Sequence, residues 1–274
     1  VRTITLAHSP DSDDAFMFYA LAEGKVDTGG LEFVHALADI ETLNQRARRG
    51  ELDVTAISFC AYPEIAARYA LLPHGASFGD GYGPVVVAPR PMTGEDLGAG
   101  VVAIPGERTS AALALRLWRP GTRTSVVPFD EILPAVQEGR FAAGVLIHEG
   151  QLTFESAGLH AVVDLGKWWK EETGLPLPLG GNVVRKDLGA ETIRVISRAL
   201  RDSIRYGLDH RQEALAHALR YARGLTSKEA DRFVSLYVND WTLDYGEAGR
   251  RAVELFLSRA ARAGIVPSVS VEFV

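Results

Sequence analysis

Gly79-Asp80-Gly81-Tyr82-Gly83-Pro84-Val85-Val86-Val87-Ala88-Pro89-Arg90-Pro91 is the stretch on which the reading of the fold turns. Glycines and a proline precede a short apolar run, and two further prolines follow it. Glycine and proline punctuate chains, so Val85–Ala88 reads as a strand flanked by breakers that suits a connection between two parts of the molecule. On its N-terminal side, strand and helix patterns alternate. Thr3–His8 reads as a strand, and Asp13–Glu23 as a helix stopped by Gly24. Leu31–Leu37 is a strand, Asp39–Arg49 a helix capped by Asp39 and ended by Gly50, and Asp53–Ile57 a short strand. On its C-terminal side the alternation begins again. Val101–Ile104, Thr124–Val127, Phe141–Ile147 and Ala161–Leu165 read as strands. Thr109–Trp118 and Asp130–Gln137 read as helices, and a Trp-containing helix follows the last strand. Gly174-Leu175-Pro176-Leu177-Pro178-Leu179-Gly180-Gly181 then reads as a second crossing segment. Gly189–Ala263 reads as helix throughout, with breaks near Asp209, Gly224 and Gly246.

Two strand–helix units joined by two crossings predict an α/β molecule of two lobes, each a largely parallel sheet with helices on its faces. The expected borders are 1–90 plus 186–274 for a large lobe and 91–185 for a small one. The crossing segments near Val85–Arg90 and Gly180–Arg185 are the expected hinge for closure over a ligand. A ligand is expected in the cleft, at the carboxyl ends of the strands.

Composition narrows the function. The chain has 274 residues, 47% apolar and 23% charged, which excludes a disordered protein. Its net charge of −6 argues against nucleic acid as a partner. The lone Cys60 builds neither an intrachain disulfide nor a Cys-rich zinc site and reads as a small buried residue near the cleft. No apolar run approaches the roughly 18 residues of a membrane span. No charged n-region with an apolar h-region opens the sequence, so a cytoplasmic location is expected. The GxSxG, GxGxxG and HExxH patterns are absent, since His148-Glu149 is followed by Gly150-Gln151-Leu152.

Position in the alternation selects candidates for chemistry. Ser9-Pro10-Asp11-Ser12-Asp13-Asp14 lies between the first strand and helix, where Ser9 and Ser12 offer hydroxyls. Asp13 and Asp14 read there as a helix-capping cluster. Pro105-Gly106-Glu107-Arg108-Thr109-Ser110 has the same placement in the second unit. There Gly106 admits close backbone approach, and Thr109 and Ser110 sit at a helix N-terminus suited to a carboxylate or an enolate. Plain helix capping explains the same residues equally well. Ser58 ends a strand and either caps the next helix or donates to a ligand. Thr42 and Asn44 read as surface polar residues. The apolar strand before His148 delivers it to a strand end, where an imidazole suits proton transfer. His8 is a weaker candidate of the same kind. In Trp168-Trp169, one ring is expected buried and the other half-exposed.

Taken together, several segments resemble the 1,4-dihydroxy-6-naphthoate synthase family of menaquinone biosynthesis. They are Ser9–Tyr19, Phe129–Pro134, Ile147-His148-Glu149, Gly174–Gly180 and Tyr237-Val238-Asn239. The resemblance spans nearly the whole chain. It implies a periplasmic-binding-protein-like (type II) fold with a ligand cleft between two lobes. It implies conversion of cyclic dehypoxanthine futalosine to 1,4-dihydroxy-6-naphthoate and dihydroxyacetone, with no cofactor and no metal. Its Ile-His-Glu motif makes His148 the catalytic base. Its hydroxyl-bearing ligand contacts fall on Ser58, Thr109 and Ser110. Ser9, Gly106 and Gly180 complete the expected substrate-binding set for a small carboxylate substrate. The chain departs from some members at Asp11-Ser12-Asp13, where they carry Cys-Pro-Asn. Alternatives on the same fold are the chorismate dehydratase of the same pathway and a non-catalytic solute-binding protein.

Overall fold

The expected alternation is present and resolves into two sheets. A computed structural model describes residues 2–221 and 226–274; the break expected near Gly224 lies outside the described residues. The first part of the chain runs β1 (Arg2–His8), α1 (Ser12–Met17), α2 (Tyr19–Ala22), β2 (Leu31–Leu37), α3 (Ile40–Arg49), β3 (Val54–Ser58), α4 (Tyr62–Ile65), β4 (Tyr69–Leu71) and β5 (Ser77–Gly79). The middle part runs β6 (Val85–Ala88), β7 (Val102–Ile104), α5 (Ser110–Trp118), β8 (Thr124–Val126), α6 (Phe129–Gln137), β9 (Ala143–Leu146), α7 (Gly150–Thr153), β10 (His160–Asp164), α8 (Leu165–Thr173) and β11 (Leu177–Arg185). The tail is helical: α9 (Ala190–Asp209), α10 (Arg211–Ala218), α11 (Ser227–Tyr237), α12 (Asp240–Leu243) and α13 (Gly246–Arg262).

The first sheet has the order β2-β1-β3-β11-β4, with β5 also pairing β11. β1 pairs in parallel with β2 and β3, whereas β11 runs antiparallel to β3, β4 and β5. The second sheet has the order β10-β6-β9-β7-β8. There β7 is parallel to β8 and β9, and β6 is antiparallel to β9 and β10.

Both segments expected to cross between units are therefore paired strands. β6 lies inside the second sheet, fully buried, because Val85-Val86-Val87 is an apolar β-branched run that gains most with both faces covered. β11 is paired along its length in the first sheet, with a register shift between Pro178 and Gly180 where proline has no N–H to donate. The sheets exchange the chain at 80–84 and at 165–176, not at the expected 90 and 185. The hinge expected at Val85–Arg90 and Gly180–Arg185 is corrected accordingly: Val85–Ala88 and Gly180–Arg185 are held in ladders.

At the changeover two backbones touch. A Cβ on Gly166 would stand 1.8 Å from the Tyr82 carbonyl oxygen and 2.7 Å from Gly83 N. Leu165 N–H donates to the Pro84 carbonyl in the same place, at 2.9 Å. Gly166→Ala is therefore expected to lower stability by about 1–3 kcal/mol, because backbone must shift to admit one methyl. Urea denaturation measures it, and an unchanged midpoint would show that the junction yields freely.

The helical tail covers the first sheet. α9 buries Ile193, Ile196, Ala199, Leu200, Ser203, Ile204 and Gly207, the stripe of one helix face. Together with α1 and α2 it encloses Ile4, Leu6, Val54 and Val184. α13 buries Ala252, Val253, Phe256, Leu257 and Ala260 in a larger cluster that also holds Ile57 and Val183 of the first sheet and Val86 and Val102 of the second. One hydrophobic core thus joins the two sheets, and the strand ends that carry polar loops converge beside it.

Candidate active site

Both sheets contribute to a cavity with about 740 Å³ of space free of protein atoms, its mouth included. Ser9 comes from the loop after β1, Asp13 and Asp14 from the first turn of α1, and Ala56, Ile57 and Ser58 from the end of β3. Thr109, Ser110 and Ala111 come from the start of α5, and Ile147, His148 and Gln151 from the turn after β9. Leu179, Gly180 and Gly181 of β11 and Phe233 and Tyr237 of α11 close the remaining sides. The lining is mainly apolar, with polar atoms at a few points, as ligand cavities generally are.

Of the expected substrate-binding residues, Ser9, Ser58, Thr109, Ser110 and Gly180 reach this cavity. Gly106 does not line it. Gly106 packs on Glu41, whose Oε2 would lie 2.4 Å from an added Cβ. Its carbonyl accepts from Thr109 Oγ1 at 2.8 Å.

The hydroxyls differ in what they have left to give. Thr109 caps α5 by accepting from Ala112 N at 3.2 Å, and its proton goes to Gly106. Its hydroxyl is thus used within the loop. Ser110 Oγ accepts from Cys60 N at 3.4 Å, which leaves its O–H to donate. The N–H groups of Ser110 and Ala111 stand in the first turn of α5, where a helix has no internal acceptors for them. Ser58 Oγ accepts from Asn44 Nδ2 at 3.3 Å, and Ser58 N–H donates to Asn44 Oδ1 at 2.9 Å. The Ser58 O–H is likewise left for the cavity. Asn44, expected on the surface, is fully buried in this role. Its neighbours Leu43 and Ala47 are the buried residues of α3, and that stripe was the available signal for it.

His148 sits where its strand was expected to deliver it, with a backbone that only tertiary structure reveals. It is the one non-glycine with positive φ among the described residues, at +55°. Left-handed backbone at a non-glycine residue is disfavoured and persists where surroundings impose it. Gln151 does so: its side-chain oxygen accepts from His148 N–H at 3.1 Å, and its nitrogen donates to the Gly83 carbonyl at 2.7 Å and to Tyr237 Oη at 2.6 Å. The Gln151 N–H also donates to the His148 carbonyl at 3.2 Å. The imidazole packs edge-on to Phe129, with ring centres 4.9 Å apart. Its Nδ1 is 3.3 Å from Asp11 Oδ2.

The acidic loop differs from the expected capping cluster. Asp11 is the N-cap of α1, without a side-chain capping bond, and Asp13 and Asp14 face the cavity. Asp14 Oδ2 accepts from Ser9 N–H at 2.7 Å, and the Ser9 hydroxyl donates to Asp11 Oδ2. Burial pushes the Asp13 carboxyl well up, and the charges of Asp14 and Asp11 add to it. Burial also raises Asp14, to about 7, against the Ser9 N–H that favours its anion. A carboxyl raised in the fold stabilises the protein when protonated; that stability is present below pH 4 and lost as pH rises to 7. Asp14→Asn is therefore expected to unfold at a higher temperature than wild type above pH 7, with the gap closing towards pH 4. Calorimetry across that range tests it; a gap independent of pH would assign the stress to another group.

His8 does not line the cavity. Its Nε2 meets His35 Nδ1 at 3.0 Å and its Nδ1 the Ser9 carbonyl at 3.0 Å. Burial, first among the causes, lowers its pKa to about 4, so it is neutral near pH 7. Cys60 is buried, and burial raises its thiol to about 12, which makes it inert. Among the described residues, no helix is long and apolar enough to cross a membrane. Tyr237 and Gln151 were not foreseen as site residues: Tyr237 reaches the site only through the return of the helical tail, and Gln151, three residues after His148, becomes a partner only through the turn that follows β9.

Comparison with known proteins identifies the family and the fold. A family model described as menaquinone biosynthesis matches residues 4–262. A curated relative from Thermus thermophilus named 1,4-dihydroxy-6-naphtoate synthase is 42% identical, over 100% of both chains. A crystal structure from Archaeoglobus fulgidus is 45% identical, covers 96% of this chain and 98% of its own, and superposes with a TM-score of 0.93. A Candida albicans protein described as having the generic periplasmic binding protein fold is only 12% identical, yet superposes with a TM-score of 0.71 over 98% of this chain and 92% of its own. That similarity concerns the fold alone, and it makes the two-sheet architecture a periplasmic-binding-protein-like one.

Proposed function

Because the chain belongs to the menaquinone biosynthesis family, we propose that it is a carbon–carbon lyase converting cyclic dehypoxanthine futalosine to 1,4-dihydroxy-6-naphthoate and dihydroxyacetone. The observation that carries this reading is His148, an imidazole at a strand end in an apolar cavity that also holds unspent donors. His148 removes a proton adjacent to the substrate carbonyl as general base. Negative charge moves onto oxygen, where fixed donors in a water-poor site stabilise it. The Ser58 and Ser110 hydroxyls and the N–H groups of Ser110 and Ala111 are the donors available for that oxygen or for the substrate carboxylate. The electron pair then leaves through cleavage of the bond to the sugar-derived carbons. These depart as dihydroxyacetone after taking up a proton, and aromatisation of the remaining ring pulls the step forward.

The apolar wall from Ile57, Ile147, Leu179 and Phe233 suits the bicyclic carbon skeleton. Thr109, whose hydroxyl is committed to the loop, shapes this site by holding α5 in place. Incubation of the purified protein with cyclic dehypoxanthine futalosine is expected to yield 1,4-dihydroxy-6-naphthoate and dihydroxyacetone in equal amounts, read by mass spectrometry. Substrate consumption without either product would reject the reading.

A further inference from the structure

We propose that Asp11 is a positioning residue that holds His148 with its proton on Nδ1 and its Nε2 bare towards the cavity. The proposal rests on the reading of His148 as the base and deepens it. Asp11 lies at the end of the loop after β1, and its residue is 1% exposed. Its Oδ2 receives two approaches, from His148 Nδ1 at 3.3 Å and from the Ser9 hydroxyl. A carboxylate only accepts, so the ring nitrogen facing it must carry the hydrogen. In neutral imidazole the other nitrogen is then the acceptor, and a general base needs that lone pair on the substrate side. The His148 backbone, at φ +55°, and the Gln151 amide that grips its N–H fix where the ring starts. Phe129 limits its tilt, and Asp11 decides which of its nitrogens faces the cavity as a base.

The carboxylate acts in a second way. When Nε2 takes a proton from substrate, the ring becomes a cation in an apolar cavity. An anion beside Nδ1 stabilises that cation as it forms. The Ser9 hydroxyl tempers this effect by sharing the same oxygen. Other titratable groups face this pair from neighbouring elements: Asp13 and Asp14 of α1, Glu149 next to His148, His8 at the end of β1 and Tyr237 of α11. Asp14, raised to about 7, contributes its own limb to any activity profile. The test therefore reads the His148 ring nuclei as well as rate.

The experiment uses ¹⁵N NMR of the histidine rings, with the His148 signals identified by their loss in His148→Gln, and pH profiles of kcat/KM. In wild type, His148 is expected as the Nδ1–H tautomer. In Asp11→Asn, a tautomer mixture is expected, and kcat falls by about ten- to a thousandfold while KM changes little. The acidic limb moves to lower pH, because without the anion the ring stays neutral further down. Ser9→Ala works in the opposite sense, concentrating the Asp11 charge on His148 and moving that limb to higher pH; it also serves if Asp11→Asn does not fold. An unchanged tautomer in Asp11→Asn, or limbs unmoved in both variants, overturns the proposal. The NMR arm needs no substrate, so wild-type protein that lacks the reaction but shows the expected tautomers refutes the proposed function and not the pairing.

Discussion

Replacing His148 with alanine is expected to lower turnover of cyclic dehypoxanthine futalosine by at least about 10²- to 10⁴-fold, the range general-base catalysis supplies. The loss falls on kcat, because the wall and the donors that hold substrate are elsewhere in the cavity. Stability changes less. The His148 side chain is 18% exposed, and Asp11 keeps the Ser9 hydroxyl as a donor when the imidazole goes. What is lost is one contact with the buried Asp11 carboxylate, 3.3 Å from Nδ1, well short of unfolding a domain of this size. Circular dichroism confirms the fold and a product assay reads the rate. Near-wild-type turnover in a folded His148→Ala protein would remove His148 from the role of base.

The largest expected effect on stability is at Trp169. Trp169→Ala is expected to cost about 3–5 kcal/mol, the range for deleting a buried aromatic ring. The ring is fully buried in the cluster that spans both sheets. It meets Phe256 of α13 edge-on, with centres 5.3 Å apart, and the Arg259 guanidinium lies over it at 5.1 Å. Its Nε1–H donates to the Pro176 carbonyl at 3.1 Å, in the segment that leads into β11. Truncation leaves a cavity and a carbonyl without its donor, beside the point where the chain changes sheets. Trp169→Phe keeps one aromatic ring but loses part of the indole volume and the hydrogen bond, so a smaller loss of about 1–3 kcal/mol is expected there. A chemical denaturation midpoint that barely moves in Trp169→Ala would show that α8 and α13 close over the gap.

Much of this was written in local sequence. Leu31–Leu37 is a strand at the bounds its alternating pattern indicated, and α3 has the Asp39 cap and the left-handed Gly50 that its ends predicted. Strand and helix periods are local properties, and caps and stops depend on a few adjacent residues. The same reasoning carried His148 to a strand end and expected one of Trp168 and Trp169 to be buried; the structure shows that it is Trp169. It broke down where two distant segments share one role. Asp13–Glu23 reads as one helix, but the chain breaks at Phe18 into α1 and α2, which pack against α10 and α9 respectively. The strand at 85–88 and the run 174–181 read as connections between units because glycine and proline surround them. Yet their apolar residues complete two sheets, and pairing outweighs local punctuation once neighbouring strands offer partners.

The sequence by itself determined most of the strand–helix alternation, the two-unit architecture and the strand-end histidine, since each rests on periodicity and on residues next to one another. Only the tertiary structure decided the site. It brought Asp11 to His148 across more than a hundred residues, buried Asn44 behind Ser58, and left Gly106 outside the cavity. A hydrogen bond between distant residues needs a few ångströms of separation in space. No local propensity encodes that distance; it follows from how the two sheets pack on their shared core.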